Sequence, residues 1–336
     1  MQIDDLAARV RGLATHLLDD DDYRELARAR DLPELAARLA GHGLAIEPVS
    51  GPVAAANLEI QVRRAAAAQL QVLNRWCGPR AAVLAVIFED EDRRSLRALV
   101  RGAAAGAAPA ARLAGLIPTS LLPARALEEL AGLTSPGEIG ALLATWGNPY
   151  ASAILESSAG AHPDLFAMEV ALSRRFAGRA VRGARKGDAV LRHYVATTID
   201  LENVFTLLAM HSAEPERRPE DCFIPGGRAI PLELFVHASG LESLAVAVGE
   251  LAARLAPEQM AEPILERHED PAELEDLLLR HRIRRLRRRA RLDPLSTAPV
   301  LAFALELRHE VRRLQRLIWG IGLHAPVAVL AGPEAP

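Results

Sequence analysis

Aromatic side chains make up only 4% of the 336 residues, and cysteine is almost missing. Cys77 and Cys222 lie far apart and in no CxxC arrangement, which argues against a disulfide framework or a cysteine zinc site and fits a reducing cytoplasm. No run approaches the roughly 18 uncharged apolar residues that a membrane-spanning helix needs. The apolar stretches around Val83 to Phe88 and after Ile318 are too short or are broken by glycine and proline. The opening MQIDDLAARVRGL lacks the basic start, apolar run and cleavage site of a secretory signal. A cytoplasmic protein that meets a membrane only through partners is therefore expected. Neither sign of charge prevails: 40 basic and 43 acidic residues leave −3, with no global pull toward nucleic acid or anionic lipid.

Motifs for chemistry are missing as well. His268-Glu269 runs into Asp270-Pro271, and His309-Glu310 continues as Val311-Arg312-Arg313, so neither completes an HExxH zinc helix. There is no GxxxxGK(S/T) phosphate loop, and Ser95 and Ser173 sit in helical patterns without a GxSxG context. No catalytic residue, metal or cofactor is expected.

Half of the residues are hydrophobic, mostly Ala, Leu and Val. Ala and Leu lose little side-chain freedom in a helix, so an all-α fold follows. Leu6, Val10, Leu13 and Leu17 recur at helical spacing. Pro33 and Gly41 punctuate a short helix through Leu32, Leu35 and Leu39. Long helices are expected over Ala54–Trp76 and Ala81–Arg101. Only short pieces near Ile117 and Ile224 could be extended, beside glycines and prolines.

The chain also repeats itself. Asp92 opens DRRSLRAL, Asp200 opens DLENVFTL and Glu310 opens EVRRLQRL, at separations of 108 and 110 residues. Glu59, Glu169 and Glu275 precede them in the same order, separated by 110 and 106. Ile117-Pro118 and Ile224-Pro225 follow the first two acids at similar distances. The pattern predicts three similar helical units of about 110 residues, at 1–113, 114–222 and 223–336. Asp92, Asp200 and Glu310 fall in separate repeats and so do not suggest one catalytic cleft; ion pairing between helices or capping is expected of them.

Two segments could contact partners. In Arg280–Arg291 (RHRIRRLRRRAR), Arg280, Arg284, Arg287 and Arg291 would stack along one helical face while Ile283 and Leu286 point to the core. That face is either solvated and balanced by the acids from Glu262 to Asp276, or a patch for an acidic partner. RNA is the weaker reading, because interleaved aromatics and glycine-rich basic loops are missing. The apolar stretch from Leu317 to Leu330, with Trp319, either packs in the core or lies against a partner.

The acid-led helices at Asp92, Asp200 and Glu310, together with FALELRHEVRRLQRLIWGIGLHAP over Phe303–Pro326, resemble the C subunit family (the d subunit in eukaryotes) of V/A-type rotary ATPases. Glu306, Glu310, Arg313, Leu314, Leu317, Ile318 and Gly320 fit its terminal helix. DLENVFTLL with Asn203 resembles its acid-x-x-Asn helix, and IPGGRAIPLELF from Ile224 its Pro-Gly-Gly turn. Ser95 and Arg313 stand where that asparagine is frequent. The resemblance implies a funnel of three helical units with pseudo-threefold symmetry. It also implies a non-catalytic rotor subunit, peripheral to the membrane, joining the proteolipid ring to the shaft of subunits D and F. A helical-repeat scaffold for unrelated proteins is the alternative.

Overall fold

Helix punctuation in the sequence falls within a few residues of the observed helix ends. The structure is a computed structural model and describes residues 3–47, 53–158, 163–211, 217–255 and 262–330. Helices α1 (Asp4–Ala14), α2 (Asp20–Leu26) and α3 (Leu32–Gly41) lead into a long pair, α4 (Ala55–Cys77) and α5 (Ala81–Ala104). Four short helices follow: α6 (Pro109–Leu113), α7 (Ala124–Gly132), α8 (Pro136–Thr145) and α9 (Ala151–Leu155). The second long pair is α10 (Leu165–Ala184) and α11 (Ala189–His211). Then come α12 (Leu232–Ser239), α13 (Leu244–Ala252) and α14 (Glu262–Arg267). A third long pair, α15 (Pro271–Leu292) and α16 (Ala298–Gly322), is followed by α17 (Val327–Leu330). Among the described residues there is no strand; the stretches after Ile117 and Ile224 are irregular connections.

Side-chain caps fix many of these starts. Asp19 and Asp22 form a reciprocal capping box at α2. Asp31, Ser135, Asp164 and Asp270 accept backbone N–H groups at the starts of α3, α8, α10 and α15. Each cap of this kind stabilises its helix by about 1 kcal/mol.

Three hairpins carry the architecture. α5 runs antiparallel to α10: Glu89 pairs with Arg179 at one end and Arg101 with Glu169 at the other. α16 packs on α4 and α15, and α1 lies along α16. Asp188, in the α10–α11 turn, accepts from both N–H and Oγ1 of Thr297 in front of α16. The turns of the second and third long pairs therefore meet.

The apolar faces fill two cores. The larger joins α1 through α10, the C-terminal half of α15 and most of α16, around Leu58, Leu96, Phe176 and Phe303. The smaller holds the C-terminal half of α11, α12 to α14 and the start of α15, around Val204, Phe235, Leu251 and Leu274. Among the described residues no helix is long and apolar enough to cross a membrane.

Candidate functional site

The run EDEDRR at Glu89–Arg94 places charge on every face of α5, including the face that Leu84, Phe88 and Leu96 bury. Those inward charges form the most unusual feature of the molecule. Arg93 is wholly buried, yet ion-pairs with Asp90 at 2.8 Å and with Glu202 of α11 at 2.6 Å, and its guanidinium lies 4.9 Å from the Phe176 ring centroid. Arg308 of α16 bridges back to α5, reaching Asp90 at 3.0 Å and Glu91 at 2.9 Å. Arg97 reaches Glu202 at 3.1 Å. Arg94 and Arg312, from α5 and α16, converge on Glu275 of α15.

Burial opposes ionisation here, and pairing reverses it. Desolvation would raise the Glu202 carboxyl, but Arg93 and Arg97 hold it at about 2. Glu275 is likewise held at about 2, by Arg94 and Arg312 against desolvation. For Asp90, too, desolvation acts upward, but Arg94, Arg308 and Arg93 pull its carboxyl well below the usual carboxylate range. A buried network of this kind contributes little net stability over an apolar core, but breaking it leaves an unpaired charge and costs several kcal/mol. It fixes the relative positions of four long helices.

The repeat acids do a different job. Asp92, Asp200 and Glu310 are all buried, and none makes an ion pair among the described residues. Each instead holds an irregular segment. Asp200 accepts backbone N–H groups of Arg228, Ala229 and Ile230 at 3.1–3.2 Å. Asp92 accepts the Thr119 hydroxyl, which in turn accepts from the N–H groups of Leu121 and Leu122. Glu310 accepts the N–H of Leu18, just ahead of α2, at 2.7 Å. The Pro-Gly-Gly turn is shaped for this: Gly226 has φ +116°, and a methyl at Gly227 would collide with the Asp200 carboxylate.

Three residues after each acid the grip differs. Asn203 holds Ile224 through both its backbone groups, at 2.8 and 2.9 Å. Arg313 pairs with Asp20 at 2.6 Å and covers the Tyr23 ring at 3.4 Å. The buried Ser95 hydroxyl has no partner among the described residues.

The earlier glutamates join neighbouring hairpins. Glu59 accepts from Gln315 at 2.8 Å and from the Trp319 indole at 2.7 Å, five and nine residues after Glu310. Glu169 pairs with Arg97 and Arg101, five and nine residues after Asp92. The corresponding positions after Asp200 are Phe205 and Ala209, and Glu275 takes Arg94 and Arg312 instead.

In the arginine-rich helix Ile283 and Leu286 are buried, as the spacing predicts, while Arg284, Arg287 and Arg291 are exposed. Arg287 pairs with Glu306, and the half-buried Arg280 stands 3.9 Å from Asp276. Arg284 and Arg291 have no ion-pair partner among the described residues. In the final stretch Leu317, Ile318 and Ile321 are core, whereas Trp319, Leu323 and Val327 are exposed. Sequence reasoning missed Asp90, Arg93, Glu202 and Arg308. The signal available was a dense charge run inside an amphipathic helix. No group of metal-ligating side chains occurs among the described residues.

Known proteins resemble the chain along nearly its whole length. It is 26% identical to the C subunit of the A-type ATP synthase of Thermococcus gammatolerans over 318 residues, which covers 92% of this chain and 83% of that one. The same identity relates it to the A-type ATP synthase C subunit of Thermococcus kodakarensis, over 94% of this chain and 85% of that one. For the A-type ATP synthase C subunit of Desulfurococcus sp. (strain SY) the shares are 92% and 84%, again at 26% identity. The ATP synthase (C/AC39) subunit model matches residues 6–328, so the chain belongs to the C/AC39 subunit family of ATP synthases.

Proposed function

We propose that this chain is the non-catalytic central-stalk subunit of a V/A-type rotary ATPase, a socket that carries torque between the membrane proteolipid ring and a shaft of subunits D and F. On this reading three units, 1–113, 114–222 and 223–336, stand around one axis with pseudo-threefold symmetry and form a funnel. The protein works on the cytoplasmic side, held at the membrane by the complex. Ion movement belongs to the ring, and ATP chemistry to other subunits.

One observation carries the proposal: two hairpin junctions use the same register. A glutamate on the first helix of one pair meets residues five and nine beyond the repeat acid of another, at Glu59 with Gln315 and Trp319 and at Glu169 with Arg97 and Arg101. Unit three clasps unit one, and unit one clasps unit two. The loop-holding acids support the same order, because Glu310 holds Leu18 as Asp200 holds 228–230. Such a cycle suits torque transfer, since close-packed helices deform little and charged cross-links resist sliding.

Exposed Arg284 and Arg291, and Trp319 near the opposite end of its helix, are candidate partner contacts. Both native cysteines are buried, so cysteines introduced singly at Arg291 and at Leu323 can be cross-linked selectively in the membrane-bound complex. Bands joining this chain to proteolipid or to subunits D and F are expected. Cross-links to neither, in membranes that retain ATPase activity, would remove the proposal.

A further inference from the structure

The central network holds more guanidinium than carboxylate. Arg93, Arg94, Arg97, Arg308 and Arg312 face Asp90, Glu91, Glu202 and Glu275. Adding Arg101 with Glu169 leaves the difference unchanged. Arg282 hydrogen-bonds Thr198 and lies 4.6 Å from the Tyr194 ring centroid, with no carboxylate partner among the described residues. Arg94, Arg97 and Arg312 keep 26%, 23% and 28% of their side chains in solvent, so the surplus positive charge lies at the open side of the junction, within reach of an anion.

It also has room for one. A cavity of about 100 Å³ opens between α5, α16 and the connection at Gly115–Ile117. One water needs on the order of 10–15 Å³, so this polar space is large enough for a small multi-atom ligand. Arg94, Arg308 and Arg312 supply its cationic wall and Leu116, Ile117 and Val311 its apolar one. Arg308 uses Nε and Nη2 on Glu91 and Asp90, and Arg312 uses Nη2 on Glu275. Nη1 of each has no partner among the described residues. The Ser95 hydroxyl, buried to 1% exposure and likewise unpartnered there, lines the same cavity. Asn203 and Arg313 occupy the matching place after their own acids and grip a loop or a neighbouring helix; Ser95 is too short to do so.

We infer that this cavity binds a small tetrahedral oxyanion of the phosphate class, held by Arg94, Arg308, Arg312 and the Ser95 hydroxyl. A tetrahedral oxyanion offers acceptors in several directions, and so can take the Nη1 groups that Arg308 and Arg312 leave free together with the Ser95 hydroxyl, beside the Arg94 charge. Glu91 on the wall adds selectivity. Phosphate near neutral pH retains a P–OH whose hydrogen bond the Glu91 carboxylate can accept, whereas sulfate has none. Binding at this cavity needs this chain alone, whatever its place in a rotor.

The test uses the full chain with inorganic phosphate and sulfate at matched ionic strength, by titration calorimetry and thermal unfolding. Saturable binding of one phosphate is expected, with sulfate at least tenfold weaker. Arg312→Gln should weaken phosphate at least tenfold and Ser95→Ala severalfold. Ser95→Ala removes an unpartnered hydroxyl and so keeps the fold, which circular dichroism checks. Arg288→Gln, on the exposed face of α15, should change nothing. Absence of saturable phosphate binding overturns the inference. So does equal binding by Arg312→Gln and Arg288→Gln, which would mean an adventitious ion only.

Discussion

Asp92 and Asp200 hold matching places in the repeated pattern, yet replacing each with asparagine should change stability in opposite directions. Asp92 is fully buried; it accepts the Thr119 hydroxyl, and its second carboxyl oxygen has no partner among the described residues. Burial pushes its carboxyl up from 3.8 to about 8, against the lowering by Thr119. Between these values the folded chain retains a proton that the unfolded chain has released, so stability falls as pH rises from about 4 to 8. At about 1.4 kcal/mol per unit, keeping Asp92 costs roughly 4 kcal/mol at pH 7 and roughly 1–2 kcal/mol at pH 5. An asparagine side chain carries no charge and escapes this cost. Asp92→Asn should therefore stabilise the chain by about 3–4 kcal/mol at pH 7, a gain that shrinks toward pH 4 and is largest above pH 8. Asp200→Asn instead keeps one acceptor oxygen and puts an N–H2 in place of the other, and either oxygen now accepts from two of the three backbone N–H groups of Arg228, Ala229 and Ile230. A loss of about 2–4 kcal/mol follows from the weakened and orphaned bonds. Urea unfolding of the three proteins at pH 5, 7 and 8.5, followed by circular dichroism, decides the matter. A constant offset between wild type and Asp92→Asn across pH would refute the reasoning, as would equal losses from the two substitutions.

Arg93→Met removes the cation held between Asp90 and Glu202, and the carboxylates left behind should cost about 3–5 kcal/mol in urea unfolding at pH 7. Arg287→Ala breaks a pair with Glu306 in which the arginine side chain is 58% exposed, so the loss should stay below about 1 kcal/mol, and smaller still in high salt. Trp319→Phe keeps an aromatic ring but not the indole N–H that reaches Glu59; a loss of about 1–3 kcal/mol is expected, with no change in helix content by circular dichroism.

The helices were legible because their signals are local. Pro33 and Gly41 bound α3, and the expected helices at Ala54–Trp76 and Ala81–Arg101 appear as Ala55–Cys77 and Ala81–Ala104. The sequence marked the acids by spacing alone; Glu59 and Glu169 meet the helices that carry Glu310 and Asp92. The chemistry of these acids was not legible. An aspartate that faces a guanidinium looks the same in sequence as one that faces backbone N–H groups, and the loop held by Asp200 lies 28 to 30 residues downstream. Nor does helical spacing alone distinguish solvated arginines, such as Arg291, from the buried Arg93 and Arg308; only the long-range partners Glu202 and Asp90 explain why the latter two stay charged inside.

The hairpins are not joined equally, and that difference predicts where the molecule opens. α5 against α10 and α16 against α4 have charged or hydrogen-bonded clasps plus the larger core between them. Between α11 and α15 the clasp positions are Phe205 and Ala209, which cannot bind Glu275, and the links that remain include Arg282 to Thr198 and Asp188 to Thr297 in the adjoining turn. The smaller core covers this side, closed by α12, α13 and α14, of eight, nine and six residues. Helices that short are marginal alone and depend on burying one face. Local opening should therefore begin with α12 to α14 and spread to the facing halves of α11 and α15, while α4, α5, α10 and α16 stay closed. Native-state hydrogen exchange at pH 7 would read this directly: amides of Phe235, Val248 and Ile264 should exchange at free energies well below those of Leu70, Leu99, Phe176 and Leu314. Uniform protection across both sets would mean that the two cores unfold as one unit and that the missing clasp has no mechanical consequence.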